Sequence, residues 1–204
     1  MAAKLGFLVV LVDGRGSADR GMAFESWVQG RLGRVEMEDQ LRALTWLART
    51  RGMVDVGRVA VTGWSYGGYL SLMAMTEWGH RFRLAIAGAP VTSWDLYDTA
   101  YTERYLGLVT PCGDEGGGES YYDAGSLVSK ASQFPEEANR VLIVHGLMDE
   151  NVHFDHTERL VDALVRAGKP HQLQVYPRER HGIRDPTVNE HFETLMFHWL
   201  LNYL

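Results

Sequence analysis

The sequence predicts an α/β fold, a mostly parallel sheet wound on both faces by helices. Three observations predict it. Short aliphatic runs alternate with amphipathic helical patterns. Most of those runs are apolar throughout, as strands covered on both faces must be. The alternation continues without an internal repeat through 204 residues, enough for one domain with a sizeable core.

The elements follow in order. Leu5–Val12 ("LGFLVVLV") reads as a strand. It is shorter than the roughly 18 apolar residues of a membrane helix, and without a small-residue cleavage site it is not a signal peptide. "RVEMEDQLRALTWLART" places Val35, Met37, Leu41, Leu44 and Leu47 near one helix face. Arg58–Thr62 is the next strand, and a helix over Tyr66–Thr76 follows a glycine turn. Leu84–Ala87 is the third strand. The stretch from Pro90 to about Arg140 is irregular and contains the Gly-rich "PCGDEGGGES". Within it Trp94, Tyr97, Tyr101 and Tyr105 recur every three or four residues and predict a short helix. Val141–His145 and Gln172–Tyr176 are the last strands. The helix Phe154–Arg166, with Leu160, Val161 and Leu164 at helical spacing, joins them, and Asn189–Tyr203 closes the chain. A hydrophobic strand almost at the start, with no cap or lead-in, reads as a piece cut from a longer protein.

Composition narrows the function classes. The chain is 46% hydrophobic and 23% charged, as in a soluble globular protein. Its net charge of −6 gives no general attraction to nucleic acid. The single cysteine, Cys112, allows no internal disulfide and suits a reducing compartment; in its Gly-rich loop it reads as an exposed bystander. No metal and no cofactor is expected. His153 and His156 could share a helix face, but no H-E-x-x-H pattern or cysteine partner accompanies them. "RGSADRG" lacks the phosphate-loop pattern G-x-x-x-x-G-K-[ST].

The chemistry centres on "VTGWSYGGYL". Strand, then Gly63-Trp64-Ser65-Tyr66-Gly67, then helix is the G-x-S-x-G nucleophile elbow. The tight turn lifts the serine hydroxyl clear of the sheet. Gly63 and Gly67 are read as bare because strand and helix pass closely. The helix N-terminus favours a developing oxyanion, with the Tyr66 N–H as one donor. A serine needs a base, and the chain order in such folds is Ser, acid, His. After Val141–His145 comes "GLMDEN", offering Asp149 and Glu150; after Gln172–Tyr176 comes "PRERHGI", offering His181. Asp13 is an alternative acid, but Asp149 follows the strand this topology uses. The other histidines read plainly: His145 packs at a strand end, His153 and His156 start a helix, His171 opens a strand, and His80, His191 and His198 take surface or packing positions.

"GWSYGGYLSLMA", "AIAGAPVTSWDLYDTAYTERYLG", "HGLMDENVHF" and "YPRERHGIR" together resemble the catalytic domain of the prolyl oligopeptidase family of serine peptidases. Within it they resemble the dipeptidyl peptidase IV branch, most closely its cytosolic members, dipeptidyl peptidases 8 and 9. "VDGRGSADRG" and "GRVEMEDQ" fit the same branch, so the resemblance covers nearly the whole chain. It implies an α/β-hydrolase fold and release of N-terminal dipeptides with Pro or Ala second, through an acyl-enzyme. It also implies a cytoplasmic location and a homodimer formed through this domain.

Residue by residue, the resemblance implies Ser65, Asp149 and His181 as the triad. It implies Tyr66, Val91, Trp94, Tyr97, Tyr101 and Val152 as a proline pocket, and Asn151 as a partner for a substrate carbonyl. An aromatic-walled slot suits a pyrrolidine ring; without the resemblance the same aromatics read first as core. Dipeptidyl peptidase IV has a disulfide in this domain that a chain with one cysteine cannot form, which favours the cytosolic members. The family further implies an upstream β-propeller whose glutamates hold the substrate amine, and an upstream tyrosine as second oxyanion donor. Against the family the early strands of the hydrolase sheet are missing as well, so the resemblance implies that residues 1–204 are an N-terminally incomplete catalytic domain. The alternatives are an esterase or acylaminoacyl peptidase on the same fold, or an inactive truncated chain acting through interactions.

Overall fold

The computed structural model describes residues 5–108 and 120–204. Cys112 and most of "PCGDEGGGES" lie outside the described residues. Four parallel strands form one sheet in the order β1 (Ala60–Trp64), β2 (Leu84–Gly88), β3 (Val141–Gly146) and β4 (Gln172–Tyr176). Ala60 lies opposite Leu84, Ala85 opposite Val141, and Leu142 opposite Gln172. The longer helices are α1 (Val35–Arg51), α2 (Tyr66–Glu77), α3 (Thr99–Leu106), α4 (Asp155–Arg166) and α5 (Pro186–Tyr203).

The period of two along the strands splits the core into two layers. Ala85, Ala87, Val141 and Ile143 face one cluster with Met37 and Leu41 of α1, Tyr69, Leu72 and Met73 of α2, and Leu160 and Leu164 of α4. Leu84, Ile86, Leu142 and Val144 face the other, closed by Trp199 and Leu200 of α5. The sheet is thus covered on both sides at its centre, where β2 and β3 are buried throughout. Two helix ends are set by local chemistry. Gly52 ends α1 in the left-handed region at φ 60. Asp185 caps α5 by accepting the Thr187 and Val188 N–H groups, with Pro186 in the first turn. That cap starts the helix three residues before the expected Asn189.

Leu5–Val12 is a correction. It forms no strand, and Leu8, Val9 and Leu11 are exposed, Leu11 by 94%. A cavity of about 680 Å³ lies between it and the outer edge of β1, lined by Val10, Val12, Val59, Val61 and Leu70 among others. A strand needs a partner for its N–H and C=O groups, and an apolar run does not supply one. Beyond this segment, Arg15 grips Asp39 of α1 through its backbone N–H at 2.8 Å and its guanidinium at 2.8–3.1 Å. The segments "VDGRGSADRG" and "GRVEMEDQ" therefore meet. The expected helix at Trp94–Tyr105 is divided into a 3₁₀ turn at Trp94–Leu96 and then α3. Asp98 interrupts it by capping α3, accepting the Tyr101 N–H at 3.1 Å.

Candidate active site

Ser65, Asp149 and His181 follow the C-terminal ends of β1, β3 and β4, the edge where open parallel sheets place their ligands. Ser65 has φ 59 and ψ −117, a backbone conformation costly for a residue with a side chain. The turn is locked by Ser65 N–H to the Gly88 carbonyl at 2.8 Å and by Tyr69 N–H to the Ser65 carbonyl at 3.0 Å. A Cβ on Gly63 would lie 2.7 Å from the Gly67 Cα and closer still to the Gly67 carbonyl, so only glycine fits. Gly67 itself has open space where a Cβ would go. The close approach therefore dictates Gly63, whereas Gly67 contributes the backbone that approaches.

His181 Nε2 lies 3.0 Å from Ser65 Oγ, and its Nδ1 lies 2.8 Å from Asp149 Oδ2. The Trp64 indole N–H donates to the His181 carbonyl at 2.5 Å and ties the histidine loop to the elbow. The Asp149 side chain is fully buried. Its Oδ1 accepts the Asn151 and Val152 N–H groups, both at 2.9 Å. Burial pushes this carboxyl up, but hydrogen bonds from His145, His181 and the Asn151 amide outweigh it and hold Asp149 below the usual carboxylate range. An ionised Asp149 only accepts, so His181 Nδ1 carries the proton and Nε2 is free to take the Ser65 hydroxyl proton. Asp13 is instead exposed and paired with Arg20 at 3.3 Å, and Glu150 faces Arg180 at 3.7 Å.

The aromatic residues form one connected group. Trp94 stacks on Tyr101 at 6.0 Å and 15°, and lies 5.9 Å from Tyr66, 6.1 Å from Tyr97 and 5.0 Å from Tyr69. Trp94, Val91 and Val152 are buried and belong to the core cluster, while Tyr66, Tyr97 and Tyr101 keep partly exposed faces. The aromatic group is therefore continuous with the core. Tyr97 donates its hydroxyl to Asn151 Oδ1 at 3.1 Å, joining the aromatic group to the Asp149 turn. Burial, with Tyr105 and Tyr97 nearby, pushes the Tyr101 hydroxyl up to about 12, so it stays neutral.

Two polar residues escaped the sequence reading. Glu36 of α1 accepts the Tyr66 hydroxyl and the Gly33 N–H, the latter at 3.1 Å. Burial pushes Glu36 above the ordinary carboxylate range. His145 does not merely pack; its Nε2 lies 3.2 Å from Asp149 Oδ2. A polar residue ending an all-apolar strand was the available signal. His156 is also buried, accepting the Thr92 N–H at Nδ1 at 3.2 Å, and burial holds it down to about 4, hence neutral.

A serine, a histidine and a buried carboxylate joined in this order on a two-faced parallel sheet define an α/β-hydrolase. The chain belongs to the prolyl oligopeptidase family, whose model matches residues 1–204. It is 51% identical over 198 residues to dipeptidyl peptidase 8 of Mus musculus, covering 97% of this chain and 22% of that protein. Against dipeptidyl peptidase 8 of Homo sapiens the identity is also 51%, covering 97% and 21%. Against dipeptidyl peptidase 4 of Bos taurus it is 39% over 200 residues, covering 98% and 25%. The chain thus spans at most a quarter of these curated relatives' length. No helix among the described residues is long and apolar enough to cross a membrane.

Proposed function

We propose that this chain carries the catalytic machinery of a serine aminodipeptidase that releases N-terminal dipeptides with Pro or Ala second. The observation that carries the reading is the unbroken hydrogen-bond line from Ser65 Oγ through His181 to Asp149, set beside half-exposed tyrosines. Ser65 Oγ adds to the scissile carbonyl carbon as its proton passes to His181 Nε2. The oxyanion takes the Tyr66 N–H, whose place at the start of α2 leaves it without an intrahelical acceptor. Collapse breaks the C–N bond, and His181 returns the proton to the leaving amine. Water then attacks the acyl-enzyme with His181 as base, restoring Ser65.

Tyr66, Val91, Trp94, Tyr97, Tyr101 and Val152 take the compact second side chain. Asn151 gives its Oδ1 to Tyr97, which leaves its amide N–H groups for a substrate carbonyl. The same reading places the chain in a longer cytoplasmic polypeptide that dimerises through this domain. A propeller there supplies carboxylates for the substrate amine, and a tyrosine supplies the second oxyanion donor.

Assay of that longer polypeptide with a Gly-Pro amide, its N-acylated form and a simple acyl ester tests the class. The free-amine substrate is expected to be cleaved with the highest kcat/KM. Equal or faster cleavage of the N-acylated amide would move the chain to the acylaminoacyl peptidases. Pocket selectivity is tested by Tyr101→Ala, which removes the ring stacked on Trp94. The Pro-over-Leu ratio of kcat/KM is expected to fall by roughly 1–3 kcal/mol equivalent. An unchanged ratio returns Tyr101 to a packing role.

A further inference from the structure

We infer that His145 and Thr157 are positioning residues for Asp149, fixing the carboxylate oxygen that faces His181 through a second imidazole contact. The inference rests on the triad reading above. His145 lies one residue before the end of β3 with its side chain fully buried. Its Nε2 lies 2.9 Å from the Val152 carbonyl and 3.2 Å from Asp149 Oδ2. Both partners only accept, so Nε2 carries the hydrogen and shares it between them. Nδ1 then holds a lone pair, and the Thr157 hydroxyl donates to it at 2.7 Å. Thr157 is itself fully buried on α4. Its hydroxyl therefore fills the lone pair that this tautomer leaves at Nδ1 and holds the ring in the plane that reaches Asp149.

The contacts close a ring. Val152 donates its N–H to Asp149 Oδ1 and accepts from His145 through its carbonyl, while His145 returns to Asp149 Oδ2. Asp149 Oδ1 takes two backbone amides and Oδ2 takes two imidazoles, so the acceptor sites of the carboxylate are filled. It cannot rotate away from His181 without leaving a buried donor unpaired. The titratable groups around His145 are Asp149 after β3, His181 beyond it after β4, and His156 on α4. If His145 only satisfied the Val152 carbonyl, its loss would lower stability and leave the reactivity of folded molecules unchanged.

The test is the rate of fluorophosphonate labelling of folded protein across pH, which reads Ser65 activation without a peptide substrate. The samples are the wild type, His145→Phe, His145→Gln and Thr157→Val, with Ser65→Ala as the blank. His145→Phe is expected to label about 10- to 100-fold more slowly, with its acid limb displaced to higher pH, because Asp149 has lost a donor. His145→Gln, which keeps an N–H, restores most of the rate. Thr157→Val, isosteric and well packed, is expected to slow labelling about 3- to 10-fold. Should His145→Phe fail to fold, Thr157→Val decides. Labelling of Thr157→Val at the wild-type rate, with an unmoved acid limb, overturns the inference alone if His145→Phe also matches or does not fold. Absence of Ser65-dependent labelling in the wild type overturns the triad reading and this inference with it.

Discussion

Ser65→Ala, placed in the longer polypeptide of the proposed reading, is expected to lower turnover of a dipeptidyl amide by about 10⁴- to 10⁶-fold and to abolish fluorophosphonate labelling. The size follows from what the substitution removes. The only atom lost is the Oγ that lies 3.0 Å from His181 Nε2. On the proposed reading no acyl-enzyme can then form, and the helix end and aromatic wall would bind a substrate they cannot attack. The backbone bonds that lock the turn, Ser65 N–H to Gly88 and Tyr69 N–H to Ser65, do not involve the side chain. Alanine tolerates φ 59 about as poorly as serine, so the thermal midpoint should stay near that of the wild type. His181→Ala should cost a similar factor, and the double variant no more than either single one, because the two act as a unit. Near-normal turnover in Ser65→Ala removes Ser65 as nucleophile. Independent, multiplying losses would instead mean that His181 serves something other than Ser65.

Much of this architecture is legible in the sequence because it is local. The strand at Gln172–Tyr176 keeps its expected bounds, and those at Leu84 and Val141 differ by one residue at their ends. The Leu84 and Val141 strands are short, mostly apolar runs and Gln172–Tyr176 alternates polar with apolar, patterns that need no distant information. Ser65, Asp149 and His181 could be located from chain order, since a parallel α/β sheet forces successive crossovers to return to the same edge. What could not be read depends on partners. Leu5–Val12 has a strand's composition, but pairing is a property of two segments. The Trp94–Tyr105 periodicity was real, yet one Asp98 side chain competing for the Tyr101 N–H was enough to divide it. Glu36 and His145 carry no pattern at all: the first reaches Tyr66 across 30 positions, and the second meets Asp149 only because the turn between them folds back.

Gly63→Ala is expected to destabilise the chain by about 3 kcal/mol or more and to remove Ser65 reactivity with it. The added methyl would meet the Gly67 backbone, whose Cα alone is 2.7 Å away, and no rotamer change can relieve a backbone contact. Neither partner is free to move. Gly63 is held in register opposite Ala87, in a strand paired to β2 from Ala60 to Trp64. On the other side α2 is anchored by Tyr69, Leu72, Met73 and Ala74, all essentially inaccessible to solvent. Separating β1 from α2 far enough to admit the methyl would open packing along this helix. It would also rotate the turn that presents Ser65 to His181. Gly67→Ala is the matched control: the space beyond its Cα is empty, and replacing glycine within a helix is neutral to stabilising by up to about 1 kcal/mol. Urea unfolding of the two variants beside the wild type makes the comparison. If Gly63→Ala unfolds at the wild-type midpoint and still labels at Ser65, the approach of helix to strand is looser than described, and the elbow does not depend on it.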